Sequence, residues 1–90
     1  MNDKEVSTLA WVLRGSQRRI IITCMDGFKV PAQIFREANK IDSKITRNSV
    51  SDVLRAFTKQ GLTKCINPEE RKGRIYVLTT KGKAVRKNII

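Results

Sequence analysis

Apolar and polar positions follow two different periods along this chain, and the period changes in its last third. Before the change, apolar residues recur every three or four positions, the spacing of an amphipathic helix. Four segments have this pattern: residues 4–14, 17–25, 31–40 and 46–60. Two β-rich runs at residues 62–66 and 74–78 follow, and residues 79–87 again have a helical pattern. The pattern predicts one domain over residues 1–90 that is mainly α with a small β-hairpin, an α+β class.

The first helical segment carries a broad apolar surface. Its apolar positions are Val6, Leu9, Ala10, Trp11, Val12 and Leu13. Two interpretations of this surface remain open. It either packs on the core of its own domain or forms a dimer seam with a second copy, because a large apolar patch on a peripheral helix favours a partner.

The second segment is dense in apolar residues, which predicts a helix buried on most sides. Ser16 is its expected N-cap. Its apolar positions are Ile20, Ile21, Ile22, Cys24 and Met25. Arg18 and Arg19 fall in its first turn, where the helix dipole disfavours cations. We expect them to meet a phosphate, or one of the carboxylates of Glu5 and Glu37.

The third segment begins at a proline. Residues 28–30 predict a short strand, and Pro31 then suits the first position of a helix, where its missing N–H is not needed. The residues expected to face the core are Ile34, Phe35 and Ala38. Residues 39–44 form a turn, with Ile41 expected to point inward.

The fourth segment has the most complete helix signature. Thr46 is the expected N-cap, and Ile45 and Val50 have the spacing of a hydrophobic staple around it. The buried stripe consists of Val50, Val53, Leu54 and Phe57. Gly61 supplies the residue that ends the helix. The last helix is expected to begin at Thr79 or Thr80, with Ala84, Val85 and Ile89 as its apolar contacts.

The net charge of +11 is placed unevenly along the chain. Residues 44–90 contain 12 Lys or Arg against three acidic residues, a net charge of +9. Residues 1–43 contain seven against five, a net charge of +2. Charge of this kind attracts nucleic acid or anionic lipid. Nearly all the excess lies on the half of the chain that contains the fourth helix and the hairpin, and charge by itself does not choose between the two partners.

The chain lacks the residues that catalysis, metal binding and membrane insertion usually require. The chain has no histidine, which removes the commonest general base and metal ligand. The two cysteines, Cys24 and Cys65, lie far apart and are expected to be buried free thiols, with a disulfide as the minority alternative. We therefore expect no enzyme, no metal site and no cofactor. We also expect no small-molecule ligand, because a chain of 90 residues leaves little room for a ligand pocket. No apolar run is long enough to cross a bilayer, so we expect a cytoplasmic protein without a membrane partner.

The polar face of the fourth helix carries residue types that read DNA bases. An α-helix fits the major groove, where Arg pairs with guanine, Asn pairs with adenine and Ser takes either role. The candidate base-reading residues are Arg47, Asn48, Ser51, Asp52 and Arg55. Asp52 repels phosphate, so it either accepts from a cytosine amino group or orients Arg47 or Arg55. A plain solvated helix face is the competing interpretation.

The hairpin loop at residues 67–73 supplies a second group of cations. Arg71, Lys72 and Arg74 surround a turn set by Pro68 and Gly73, where they could follow a phosphate backbone or enter a minor groove. Glu69 and Glu70 oppose them, and we expect local pairing. Further candidate phosphate contacts are Lys44, Lys59 and Lys64.

Four segments of the chain resemble the winged helix-turn-helix transcriptional regulators, especially small archaeal members of the MarR/ArsR type. They are LRGSQRR at 13–19, VPAQI at 30–34, KQGL at 59–62 and RIYVLTTKG at 74–82. The resemblance implies a recognition helix within residues 43–60, a wing tip at residues 67–73, and a homodimer on a pseudo-palindromic site in double-stranded DNA. The paired Cys and His of metal-sensing relatives are missing, so metal sensing is not expected.

Two other functions remain as alternatives to a sequence-specific DNA-binding regulator. A winged-helix module could bind a protein or RNA within a larger complex, although recognition of unpaired bases usually requires exposed aromatic side chains. A membrane-surface protein would need a helix with one apolar and one basic face. Only the short C-terminal helix approaches that pattern.

Overall fold

The computed structural model describes residues 2–90 and confirms the mainly helical α+β class. Within these residues it contains five helices and one antiparallel two-stranded sheet. The elements in chain order are α1 (Asp3–Arg14), α2 (Ser16–Thr23), α3 (Pro31–Ile41), α4 (Arg47–Lys59), β1 (Thr63–Cys65), β2 (Tyr76–Leu78) and α5 (Thr80–Lys87). Every segment with a helical period forms a helix, because each has an apolar stripe that the others can cover.

The ends of α4 are held by the residues that the sequence indicates. The Thr46 hydroxyl accepts from the Ser49 N–H at 3.0 Å, and the Ser49 hydroxyl accepts from the Thr46 N–H at 3.3 Å. This reciprocal pair satisfies two N–H groups that the helix itself cannot. Gly61 adopts a φ of +76°, the left-handed conformation that stops a helix. At α5 the cap is Thr79, whose hydroxyl accepts from the Gly82 N–H at 3.1 Å.

The predicted bounds of α2 were wrong at both ends. The helix includes Ser16, so Gly15 takes the N-cap position and no side chain caps this end. It stops at Thr23, and Cys24 is the C-cap. Cys24 and Met25 are buried nevertheless, because the turn that follows the helix is itself packed into the core. Burial alone therefore made the apolar run look like a longer helix.

The short strand predicted at residues 28–30 is reduced to one bridging residue. The Lys29 N–H donates to the Tyr76 carbonyl at 3.0 Å, and the Tyr76 N–H donates to the Lys29 carbonyl at 2.8 Å. Pro31 begins α3 two residues later and has no N–H to extend a ladder. Between β1 and β2, Thr63 pairs with Leu78, Lys64 with Val77 and Cys65 with Tyr76.

The core lies where α2, α3 and α4 meet, with β1, β2 and α5 closing one side. Its largest fully buried side chains are Phe57, Ile21, Ile22, Met25, Ile34, Ile45, Leu54, Leu62, Val12, Val50 and Val85. Trp11 packs edge-on against Phe57, with ring centroids 5.9 Å apart. This contact attaches α1 to the helix that presents the candidate site.

The first helix is rotated from the orientation that its apolar stripe predicts. Val6 and Leu13 are 50% and 43% exposed, whereas Thr8 and Val12 are buried. Thr8 tolerates burial because its hydroxyl donates to the Lys4 carbonyl at 2.9 Å. Of the two interpretations left open for the apolar surface of α1, packing on this domain's own core does not apply to Val6 and Leu13. The large Trp11 side chain, packed on Phe57, faces the core instead.

Arg18 pairs with neither Glu5 nor Glu37, the two carboxylates expected as its partners. Its guanidinium lies 4.5 Å from the centroid of the Trp11 ring and donates to the Trp11 carbonyl, from Nε at 2.9 Å and from Nη2 at 2.6 Å. Trp11 is in the last turn of α1, where carbonyls lack helical partners and attract cations. Arg18 therefore joins α1 to α2, and Arg19 remains exposed.

The turn before α4 also differs from its prediction. Ile41 is 63% exposed, and Ile45 is buried instead. The Asn39 side-chain amide donates to the Ile45 carbonyl at 2.9 Å. This bond closes the turn with Ile45 inside, so the prediction that Ile41 points inward was wrong.

Lys29 is a buried cation that the sequence pattern did not indicate. Its ammonium contacts the carboxylate of Asp26, the Glu37 carboxylate at 2.7 Å and the Cys24 carbonyl at 2.8 Å. Hydrogen bonding to Lys29 lowers the pKa of Asp26 below its ordinary value of 3.8. Burial lowers the pKa of Lys29, but hydrogen bonds to the two carboxylates outweigh it and hold the pKa above 10.5.

These pKa shifts predict how the free energy of unfolding falls at acidic pH, which we call the acid limb of the stability curve. A depressed carboxyl pKa stabilises the fold above the unfolded value of about 3.9 and stops doing so as pH falls through the folded value. We expect Asp26→Asn to flatten the loss of unfolding free energy below about pH 4. Urea denaturation between neutral and acidic pH measures it, with exposed Asp3→Asn as control. If unfolding free energy falls equally at acidic pH in both variants, the stabilising pair of Asp26 with Lys29 is contradicted.

The pH dependence is reversed for Lys29, whose pKa is raised by folding. Its stabilisation of the fold is present at neutral pH and is lost only above about pH 10.5.

Candidate nucleic-acid interface

A groove of about 1080 Å³ runs between α4, the start of α3 and the loop that joins β1 to β2. We call it the basic groove. The side chains that line it are Val30, Pro31, Ala32, Arg47, Ser51, Arg55, Thr58, Lys59, Cys65, Pro68, Arg71, Lys72, Gly73, Arg74 and Tyr76. Six of these are Lys or Arg, and none is Asp or Glu. The groove therefore concentrates positive charge that no lining carboxylate offsets.

One wall of the basic groove is the exposed face of α4. Arg47, Ser51 and Arg55 are four residues apart and form one row along the helix. The Arg47 guanidinium lies 5.3 Å from the centroid of the Phe35 ring, a cation–π contact that restrains it. The Arg55 guanidinium lies 3.4 Å from the Asp52 carboxylate. Asp52 thus orients Arg55, one of the two arginines expected to be its partner.

The opposite wall is the hairpin loop, which we define as residues 67–74. Asn67 organises it, because its side-chain oxygen accepts from the Ile75 N–H at 2.8 Å and its amide donates to the Gly73 carbonyl at 3.1 Å. Gly73 has a φ of +68°, a conformation that favours glycine. Arg71, Lys72 and Arg74 are consequently held on a closed loop that faces α4.

The expected local pairing of Glu69 and Glu70 with these cations was wrong. The Arg74 Nε donates to the backbone carbonyl of Glu70 at 2.6 Å and not to a carboxylate. Among residues 2–90, neither glutamate forms an ion pair. In this tight loop Arg74 is bound by the backbone carbonyl of Glu70, so its positive charge is not paired with either glutamate carboxylate.

Four of the predicted site residues lie outside the basic groove. Asn48 and Asp52 are exposed but lie one position further round α4 than the groove row. Lys64 alternates with Cys65 along β1, so it points away when Cys65 points into the groove. Lys44 is exposed in the turn before α4. Lys59, the remaining phosphate candidate, does line the groove.

The groove also contains residues that the sequence analysis did not assign to it. Tyr76 and Cys65 are paired across the hairpin and both face the groove. Strand alternation relative to the buried Leu78 and Thr63 could have identified them, since residues two apart in a strand share a face.

Cys24 is buried as expected, and burial, followed by the nearby Glu37, raises the pKa of its thiol. Cys65 is only partly buried, so the expectation that it is buried was wrong. Both cysteines are free thiols, so the disulfide alternative does not apply.

Comparisons with protein-family models, curated proteins and solved structures found no match to this chain. Across residues 2–90, no helix has the length and apolar character needed to cross a membrane. The same residues contain no group of three or more Cys, Asp or Glu side chains placed to hold a metal ion. The basic groove is therefore interpreted from its own geometry.

Proposed function

We propose that this chain is a sequence-specific, double-stranded DNA-binding transcriptional regulator of the winged-helix class. In this proposal α3, the following turn and α4 act as the helix-turn-helix, and the β1–β2 hairpin acts as the wing. The observation that carries it is the basic groove, in which six cations from α4 and the hairpin loop face one space without a lining carboxylate. Such a surface suits a polyanion that presents phosphates along both walls.

The α4 wall supports base recognition in a major groove. Arg47, Ser51 and Arg55 present two forked donors and one hydroxyl on a helix whose other face is buried. Arginine can bind guanine with two hydrogen bonds, and each good bidentate contact supplies about 1–3 kcal/mol of discrimination. The Phe35 ring lies against the Arg47 guanidinium and restrains it, which reduces the entropy lost on binding. The Arg55–Asp52 pair is exposed, so it restrains Arg55 only weakly.

The hairpin loop supports contact with the backbone or a minor groove. Arg71 and Lys72 are exposed on a loop that Asn67 and Gly73 hold in a fixed shape. Contacts of this kind set the position and register of a protein on DNA, and they carry little sequence information themselves. We assign base recognition to α4 and positioning to the loop.

We propose that the regulator acts as a homodimer, with α1 contributing to the seam. Val6 and Leu13 lie seven residues apart on α1 and are left exposed by the fold. Their spacing repeats after two helical turns, so both fall on one stripe that a second copy could cover. A two-fold dimer would match a pseudo-palindromic site in DNA.

The test is fluorescence anisotropy of a labelled random-sequence duplex, begun at low salt and repeated over a salt series, with Arg47→Ala and Lys72→Ala. The matched controls are Arg36→Ala and Lys40→Ala, which remove an exposed cation from α3 outside the groove. We expect the two groove variants to weaken binding and Lys72→Ala to reduce the salt slope by about 1. Binding that is absent, or equally weakened by the α3 controls, would remove the DNA proposal.

An RNA-binding module is the second candidate, and Tyr76 is the observation that favours it. This side chain is the one aromatic among the lining residues of the basic groove, where an unpaired base could stack on it. The same titration with single-stranded RNA distinguishes the two functions. Preference for RNA, lost in Tyr76→Leu and kept in Arg47→Ala, would favour the RNA-binding module.

A further inference from the structure

A second, more apolar cavity of about 570 Å³ lies between the α2–α3 turn, β2 and α5. It is lined by Met25, Asp26, Gly27, Phe28, Val77, Leu78, Lys83, Arg86, Lys87 and Ile90. Most of its lining surface is apolar, and its volume falls within the range of about 300–1,000 Å³ typical of small-molecule sites. None of its lining residues belongs to the basic groove. We call it the α5 cavity.

The charged side chains of the α5 cavity are distributed unequally. One wall is α5, which contributes the cations Lys83, Arg86 and Lys87. The single lining carboxylate, Asp26, is already in an ion pair with buried Lys29. Asp26 also interacts electrostatically with Arg86, so it offsets part of the positive charge. With three cations against one carboxylate, the cavity still combines an apolar floor with a net positive edge.

Arg86 adds a second observation at this edge. One terminal nitrogen of its guanidinium donates to the Thr23 carbonyl at 2.9 Å, which ties α5 to the end of α2. Its Nε is buried and has no hydrogen-bond partner. A buried donor without an acceptor is costly, and an anion in the cavity reaches this nitrogen only if the side chain shifts to uncover it. The hydrogen bond to Thr23 holds the guanidinium, and its positive charge stays at the edge of the cavity.

Phe28 is the apolar counterpart to this edge. It is 68% exposed, although a large aromatic side chain gains from burial. Its neighbour Lys29 is anchored by the backbone bridge to Tyr76 and by its carboxylate partners. The backbone therefore holds Phe28 at the cavity with little freedom to turn inward, where a flat apolar ligand could cover it.

We propose that the α5 cavity binds an amphipathic organic anion, with its apolar body against Met25, Phe28 and Val77 and its acidic head at the Lys83–Lys87 edge. The apolar floor provides affinity and the cations provide orientation, as in most small-molecule sites. The prediction made from sequence, that there is no small-molecule ligand, rested on chain length. This inference does not depend on DNA binding, because none of the residues that line the α5 cavity lines the basic groove.

The probe is anilinonaphthalene sulfonate, whose fluorescence rises when its rings enter an apolar site. The neutral N-phenylnaphthylamine has the same rings without the sulfonate and reports the apolar contribution alone. We expect the sulfonate to bind more tightly than the neutral amine. The variant Lys83→Gln/Lys87→Gln should weaken sulfonate binding by about fivefold, since each exposed cation contributes modestly, and leave the amine unchanged.

The control variant Arg36→Gln/Lys40→Gln removes the same charge from the exposed face of α3 and should change neither affinity. Amide chemical shifts locate the probe, and we expect changes at Gly27, Phe28 and Val77 but not at Ser51 or Arg55. Equal binding of sulfonate and amine, equal loss in the two variants, or shift changes in the basic groove would each overturn the proposal. Cooperative unfolding of each variant excludes binding to a partly unfolded state.

Discussion

The affinity of this protein for duplex DNA is expected to fall by about 10³-fold between 50 and 200 mM salt. The basic groove contains six cations. On a random-sequence duplex the α4 arginines have no matched base to bind, so we count them with the loop cations as phosphate contacts. If all six neutralise a phosphate, the slope of log affinity against log salt is roughly −5, because each contact contributes about −0.9 through counterion release. This dependence needs no sequence match, so a random-sequence duplex in an anisotropy titration measures it.

The variants separate the groove from the general charge of the chain. With Arg71→Ala/Lys72→Ala the slope should become shallower by about 2, whereas Arg36→Ala/Lys40→Ala should leave it within error. A slope near −1 for the unchanged protein would mean that the groove cations do not contact phosphates together. A steep slope that both double variants reduce equally would assign binding to diffuse charge and not to the groove.

Gly82→Ala is expected to destabilise the fold by about 3 kcal/mol, although alanine is the better helix former by about 1 kcal/mol. Gly82 is buried in α5. A Cβ there would overlap the Leu62 carbonyl oxygen and lie 3.0 Å from the Leu78 side chain. That oxygen also accepts from the Thr79 N–H at 2.9 Å, so it cannot move without breaking the α5 cap region.

Thermal unfolding followed by circular dichroism measures this effect, and a loss of that size lowers the midpoint by roughly 12–24 °C in a domain of this length. Lys83→Ala is the matched control, because it changes the next residue of the same helix to alanine at an exposed position. It should change the unfolding free energy by less than about 0.5 kcal/mol. A Gly82→Ala protein as stable as the control would show that α5 does not pack closely on Leu62.

The parts of the fold that could be predicted are those determined over one or two helical turns. Thr46, Val50 and Gly61 define the beginning, packing face and end of α4 through contacts within about one turn of each site. The hairpin follows because its apolar runs are separated by a polar loop with Pro68 and Gly73. Each feature depends on neighbours in the chain, so the order of residues contains the information.

Local spacing did not settle which of several apolar side chains the packing buries. Ile41 and Ile45 are both apolar and close in sequence, and the Asn39 bond to the Ile45 carbonyl decides which is buried. Val6 and Leu13 have correct helical spacing, yet the packing of Trp11 on Phe57 rotates α1 so that both are exposed. The spacing of apolar residues identifies a helix face that could be buried. It does not show which of two apolar faces makes the larger contact with the rest of the fold.

The candidate site divides in the same way. The row formed by Arg47, Ser51 and Arg55 follows from helix geometry once Val50, Leu54 and Phe57 are buried. The approach of Arg71 and Lys72 to that row depends on how the hairpin folds back across α4. The inclusion of Tyr76 and the exclusion of Lys64 depend on which face of the hairpin turns toward the helix.

The amino-acid sequence by itself determined the helices, the hairpin and the excess of positive charge in the second half of the chain, since these depend on composition and local spacing. Only the tertiary structure decided that six cations share one groove and that Lys29 is buried between two carboxylates. It also decided that an apolar cavity opens beside α5. These features arise when residues far apart in the chain compete for the same space, and that competition is resolved only by packing.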